Sequence, residues 1–144
     1  MNETDQSHLR RAIELAQQAR DSGEQPFGSL LVGPDGGVLR EDHNTVLSER
    51  DVTAHPELKL ARWAARELDA ETARRTTMYT SCQPCGMCAN VIARAGLGRV
   101  VFALSSEQLD ALKPPGAVPP DASEAVYEGP ALHAEASAPV AGYY

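Results

Sequence analysis

The chain has 144 residues, 42% of them hydrophobic and 23% charged, and a formal net charge of −7. These values describe one ordinary globular domain long enough for a real core, and the acidic balance argues against nucleic-acid partners, whose phosphates are held by lysine and arginine. No apolar run approaches the roughly 20 residues of a membrane span, and residues 1–18 lack the apolar centre of a secretory leader. Three cysteines confined to one short stretch are no secreted disulfide framework, so a reducing, cytoplasmic setting is expected.

Leu9, Ala12, Ile13 and Ala16 recur at i, i+3, i+4 and i+7, which predicts an amphipathic helix over 7–22, stopped at Gly23. Residues 27–32 read as an apolar strand, Gly33-Pro34-Asp35-Gly36-Gly37 as a turn, and 38–43 as the returning strand of a hairpin. A polar loop over 45–51 precedes a helix from 56 to about 68. Leu58, Leu60, Ala61, Trp63, Ala64 and Leu68 make that helix apolar around much of its circumference, so it is expected against a sheet. Residues 76–81 form a β-branched and aromatic strand, 84–95 a helix closed by Gly96, and 99–104 a strand centred on Val100-Val101-Phe102. Beyond these the pattern weakens: a short helix over 106–112, a Pro-rich loop over 113–120, a last strand over 124–128, a last helix over 131–136 and a C-terminal tail over 138–144. This order predicts an α/β fold in one domain over 1–144, a three-layer α/β/α sandwich around a mixed sheet of about five strands.

The chemistry concentrates in Cys82-Gln83-Pro84-Cys85-Gly86-Met87-Cys88, read with Thr53-Ala54-His55-Pro56-Glu57 upstream. Thiolates and an imidazole at such spacing suit tetrahedral Zn²⁺. His55, Cys85 and Cys88 as three ligands, with the Glu57 carboxylate alongside, describe a catalytic site whose fourth position takes water. Pro56 and Pro84 both read as first-turn prolines. His55 would then cap one helix with Glu57 in its first turn, while Cys85 and Cys88 share one face at the start of another. Both helix N-termini would turn their free N–H groups toward the metal, a field that favours thiolate. The competing readings are a redox Cys-x-x-Cys pair, an iron–sulfur run that lacks a fourth cysteine, and a closed structural zinc with Cys82 as fourth ligand. Against the last, Pro84 disfavours helical geometry at Gln83, which assigns Cys82 to the preceding strand. His8, His43 and His133 read as surface or internally bonded histidines.

His-x-Glu followed by Pro-Cys-x-x-Cys resembles the zinc-dependent cytidine deaminase superfamily. Pro26-Phe27-Gly28-Ser29-Leu30-Leu31-Val32, His43-Asn44 and Asp51-Val52-Thr53-Ala54-His55 resemble its guanine, cytosine and tRNA-adenosine deaminase branch, so the likeness runs over about residues 7–137. Pro56 stands where alanine is usual and Gln83 where glutamate is usual. Neither is a ligand, so they bear on subfamily and substrate. The resemblance implies the cytidine deaminase fold and a Glu57 that carries protons between water, ring nitrogen and departing amine. It also implies substrate contacts from Asn44, from Phe27 by stacking, and from the backbone N–H groups of Ala54 and Cys85. Guanine deaminases of this branch are dimers whose C-terminus covers an active site, which implies a homodimer and a substrate role for Tyr143 and Tyr144.

The resulting expectation is zinc-dependent hydrolysis of the exocyclic amine of a small heteroaromatic base, such as guanine or cytosine, with release of ammonia. The alternatives are a free nucleoside, a tRNA adenosine, or a zinc module without activity. The chain has two lysines, Lys59 and Lys113, and no basic residue except His133 after the second, so its tail is a poor RNA arm.

Overall fold

Asn2 and Asp5 start the first helix. Each side chain accepts the other's backbone N–H, a reciprocal cap that sets α1 at Glu3–Asp21, four residues before the start predicted at residue 7. In this computed structural model, which describes residues 1–115 and 125–144, α1 lies on a sheet built from β1 (Gly28–Val32), β2 (Val38–His43), β3 (Thr77–Cys82) and β4 (Arg99–Leu104). The strand order is β2-β1-β3-β4. β1 runs antiparallel to both β2 and β3, whereas β3 and β4 are parallel. The sheet is therefore mixed, as expected.

The two-residue period of the strands divides the core into two layers. Leu30, Val32, Tyr79 and Val101 pack against Leu9, Ala12 and Leu15 of α1. Leu31 and Met78 point the other way, toward Leu60, Ala61 and Ala64 of α3 (Pro56–Glu67) and Ile92 of α5 (Gly86–Ala95). With helices on both faces, every residue of β1 is buried, which is why its sequence is an apolar run rather than an alternation. Gly28 makes the α1 packing close. A Cβ there would lie 2.5 Å from Ala16 N and from Leu15 Cβ, and 2.7 Å from Ala12 O. That contact centres the helix on Ala12, Leu15 and Ala16 and leaves Ile13 half exposed, although Ile13 belongs to the apolar repeat.

An ionic cluster around the buried Asp5, with Arg99 half exposed, ties α1 to the far strands. Arg99 Nη1 and Nη2 donate to the two Asp5 oxygens, both at 2.9 Å, and the Tyr79 hydroxyl donates to Asp5 Oδ1 at 2.7 Å. These donors hold the Asp5 carboxyl well below the usual carboxylate range.

α2 (Val46–Glu49), α4 (Ala70–Arg74) and α6 (Ser106–Leu112) complete the unit Met1–Lys113. Pro114–Tyr144 forms a second unit, which holds α7 (His133–Ser137); Tyr143 and Tyr144 are exposed and meet edge to face at 5.0 Å. The sheet has four strands and not the five expected. Of the predicted strand over 124–128, residue 124 lies outside the described residues and 125–128 have no regular structure. Residues 116–120 of the Pro-rich loop also lie outside them. Among the described residues no helix is long and apolar enough to cross a membrane.

Candidate metal centre and active site

His55 is the N-cap of α3 with Pro56 in the first turn, and Cys85 is the N-cap of α5. Both caps are extended in backbone, and neither side chain bonds its own helix. Each is therefore available to the space between the two helix starts. Pro84 sits one residue before the cap rather than inside the helix, and Cys88 falls in the first turn. Cys88 Sγ lies 3.4 Å and Cys85 Sγ 3.7 Å from His55 Nδ1, and one ligand atom from each residue lies within 4.8 Å of the others.

This triangle fits zinc. Tetrahedral bonds of about 2.3 Å to sulfur and 2.0–2.1 Å to nitrogen put S and N about 3.6 Å apart, and the two observed separations bracket that value. The donor chemistry agrees. Burial, the Glu57 carboxyl and Cys85 push the Cys88 thiol well above its ordinary pKa, so a cation is needed to hold it as thiolate. Cys82 stands apart: it ends β3, is paired with Leu104 and buried, and is not in the ligand cluster.

Glu57, one residue past Pro56, is 7% exposed. Its Oε1 accepts from Ser29 Oγ at 3.0 Å and from Thr80 Oγ1 at 3.3 Å, and the two hydroxyls meet at 2.7 Å. Burial raises the carboxyl above its ordinary value, while the Ser29 hydroxyl, His55 and Thr80 pull the other way. A carboxyl whose proton affinity is raised by burial is suited to proton transfer.

The other predicted contacts are less open. Asn44 follows β2 and is buried. Its Oδ1 accepts from Val46 N at 3.0 Å and its Nδ2 donates to Gln25 Oε1 at 3.1 Å, an Asx turn of the kind asparagine forms at loop starts. The Ala54 N–H, expected on substrate, donates to Asp51 O at 3.0 Å. Phe27 is half-buried just ahead of β1. Two contributors were not anticipated from the sequence. One is the Ser29–Thr80 pair, whose signal was a polar side chain in each of two buried strands. The other is Lys59, whose Nζ donates at 2.9 Å to Asp42 Oδ1, His43 O and Thr45 Oγ1. It pins the loop that carries Asn44 onto the helix that carries His55 and Glu57.

A family model described as the cytidine and deoxycytidylate deaminase zinc-binding region matches residues 2–104. The chain is 38% identical over 112 residues to a probable cytosine deaminase of Schizosaccharomyces pombe, covering 76% of this chain and 65% of that protein. It is 32% identical over 111 residues to a tRNA-specific adenosine deaminase of Haemophilus influenzae, covering 77% of this chain and 64% of that protein. The chain thus spans just under two thirds of the length of either. The crystal structure of a guanine deaminase from Bacillus subtilis superposes with a TM-score of 0.66 at 32% identity, over 77% of this chain and 69% of that one.

Proposed function

The chain belongs to the family of zinc-binding cytidine and deoxycytidylate deaminases, and from that premise we propose that it hydrolyses the exocyclic amine of a small heteroaromatic ring, a free nucleobase such as guanine or cytosine. The observation that carries this reading is the His55–Cys85–Cys88 triangle at zinc spacing beside a buried carboxyl, with the third cysteine outside it. Zinc held there supplies Lewis acidity, which brings the pKa of water from about 16 to near 7. Three protein ligands leave a fourth position open, which is the arrangement of catalytic rather than structural zinc.

Glu57 moves the protons. Its carboxylate takes one from the attacking water and delivers it to a ring nitrogen, then takes the second from the added hydroxyl and gives it to the leaving amine. Water adds at the amine-bearing carbon, the C–N bond breaks, ammonia departs, and the ring keeps a carbonyl. Asn44 would meet substrate with the hydrogen-bonding capacity its Asx turn leaves over, Phe27 would stack on the ring, and Tyr143 and Tyr144 would close over it. The smallness of the substrate is supported by where the lysines go. Lys59 is taken up by Asp42, His43 and Thr45, and Lys113 by Asp110 at 3.0 Å.

The test is ammonia release from a panel of amino-bearing bases and nucleosides. At least one free base should be turned over. Glu57→Gln should keep near-stoichiometric zinc and lose activity by about 10²- to 10⁴-fold or more, as befits a group serving several proton transfers. Truncation of residues 139–144 should raise KM or lower kcat at unchanged zinc. Loss of zinc in Glu57→Gln would make Glu57 a ligand, and no turnover of any base by the zinc-loaded protein would end the reading.

A further inference from the structure

Glu57 is the proton carrier of the reaction proposed above, and a glutamate is a loose tool for that work. Its terminal torsion is broad and roughly two-fold, so unless something holds the carboxyl its two oxygens exchange places. Ser29 and Thr80 are directly paired across β1 and β3, have no exposed surface, and present both hydroxyls to the same oxygen, Oε1. Resting on the deaminase reading, we propose that this hydroxyl pair is a positioning device: it pins Oε1 of Glu57 and so leaves Oε2 to exchange protons with water and substrate.

Three observations support this. First, the pair is costly without such a role. A buried hydroxyl in an apolar layer loses its hydration, and β1 reads Gly-Ser-Leu-Leu-Val, with its other side chains apolar. An alanine opposite a valine would fill the same space. Second, the partners come from elements far apart in sequence. Ser29 is 28 and Thr80 is 23 residues from Glu57, so the contact is not a local turn habit of serine or threonine. Third, the arrangement tolerates the proton cycle. The 2.7 Å contact between the hydroxyls joins the contacts at 3.0 and 3.3 Å in a triangle of oxygens. A hydroxyl has one proton to donate and can also accept, so the two protons fill two of the three edges at a time, and whichever two they fill Oε1 keeps a donor as protons come and go at the other oxygen. Thr80 Oγ1 also lies 3.5 Å from Gly28 O, which gives its proton a second acceptor on the sheet.

The experiment compares Ser29→Ala, Thr80→Val, the double variant and Thr80→Ser with the wild-type enzyme, on a base the wild type deaminates. Steady-state kinetics are read beside zinc content, melting temperature and a crystal structure of the zinc-loaded double variant. Each hydroxyl removal should lower kcat about 10-fold and the double about 10²-fold, the scale of a misplacement near 1 Å. KM and zinc should hold, and Thr80→Ser should recover most of what Thr80→Val loses. In the crystal the Glu57 carboxyl should be turned from its position beside β1. An active wild type with a double variant of normal kcat and an unmoved Glu57 overturns the positioning role alone. So does a loss of rate matched by a loss of zinc or a rise in KM, which a merely structural pair would produce. If the double variant does not fold, Ser29→Ala and the comparison of Thr80→Val with Thr80→Ser decide. A zinc-loaded wild type that deaminates nothing ends the deaminase reading, and this role with it.

Discussion

Cys82 and Cys85 stand three residues apart, as do Cys85 and Cys88, yet the backbone treats the two pairs differently. Cys82 is the last residue of β3, and the next backbone N–H, that of Gln83, still bonds Leu104 O at 2.7 Å. Pro84 keeps the chain from entering a helix at once, so Cys85 becomes a cap and Cys88 a first-turn residue. Cys82→Ser should therefore keep one zinc per chain and most activity, at a stability cost of about 1–3 kcal/mol for a buried hydroxyl. Cys85→Ser and Cys88→Ser should lose zinc and activity together, as metal analysis and ammonia release would record. Zinc leaving Cys82→Ser as readily would make the site closed. This part of the site was legible because proline and helix-start rules act over a few residues. Ser29 and Thr80 were not legible as partners of Glu57, since only β1, β3 and α3 packed together bring them within reach. Asn44 shows a third case. Its residue type suits both a turn and a substrate contact, and the Asx turn it forms is the use that local chemistry alone accounts for.

Among the elements, periodicity located α1 but misjudged its start and its face. The start depends on a polar cap, Asn2 with Asp5, that an apolar repeat cannot register. The face depends on the close approach at Gly28, a property of the strand it packs on. The predicted fifth strand failed for a related reason, because a short apolar stretch becomes a strand only when a neighbour accepts its hydrogen bonds. Asp5 lends α1 a testable dependence on pH. Its folded-state pKa is depressed by Arg99 first, then by Tyr79 and the Asn2 backbone. A depressed carboxylate contributes stability that is full above the unfolded value of about 3.9 and is lost as pH falls below it toward the folded value. Asp5→Asn should lower the melting temperature at neutral pH, and the gap to the wild type should narrow as pH drops below about 4. A gap that stays constant into acid would show that the Asp5 charge is not what joins α1 to β3 and β4.

At the scale of the whole molecule the deciding quantity is charge. Asp and Glu number 20 against 13 Lys and Arg, a formal net of 13 − 20 = −7. Of those cations, Lys59, Lys113, Arg11 and Arg99 are paired with carboxylates of the same chain. An enzyme that grips an RNA stem must neutralise several phosphates, and for single strands the logarithm of its affinity then falls with that of salt at a slope of about −0.7 per phosphate. A free base carries no phosphate and should show no such slope. We therefore expect kcat/KM on the preferred base to change less than about twofold between roughly 50 and 200 mM salt. An anticodon stem-loop offered under the same conditions should be a poor substrate at every salt concentration. Efficient deamination of that RNA, falling steeply as salt rises and accompanied by no turnover of any free base, would reverse the choice.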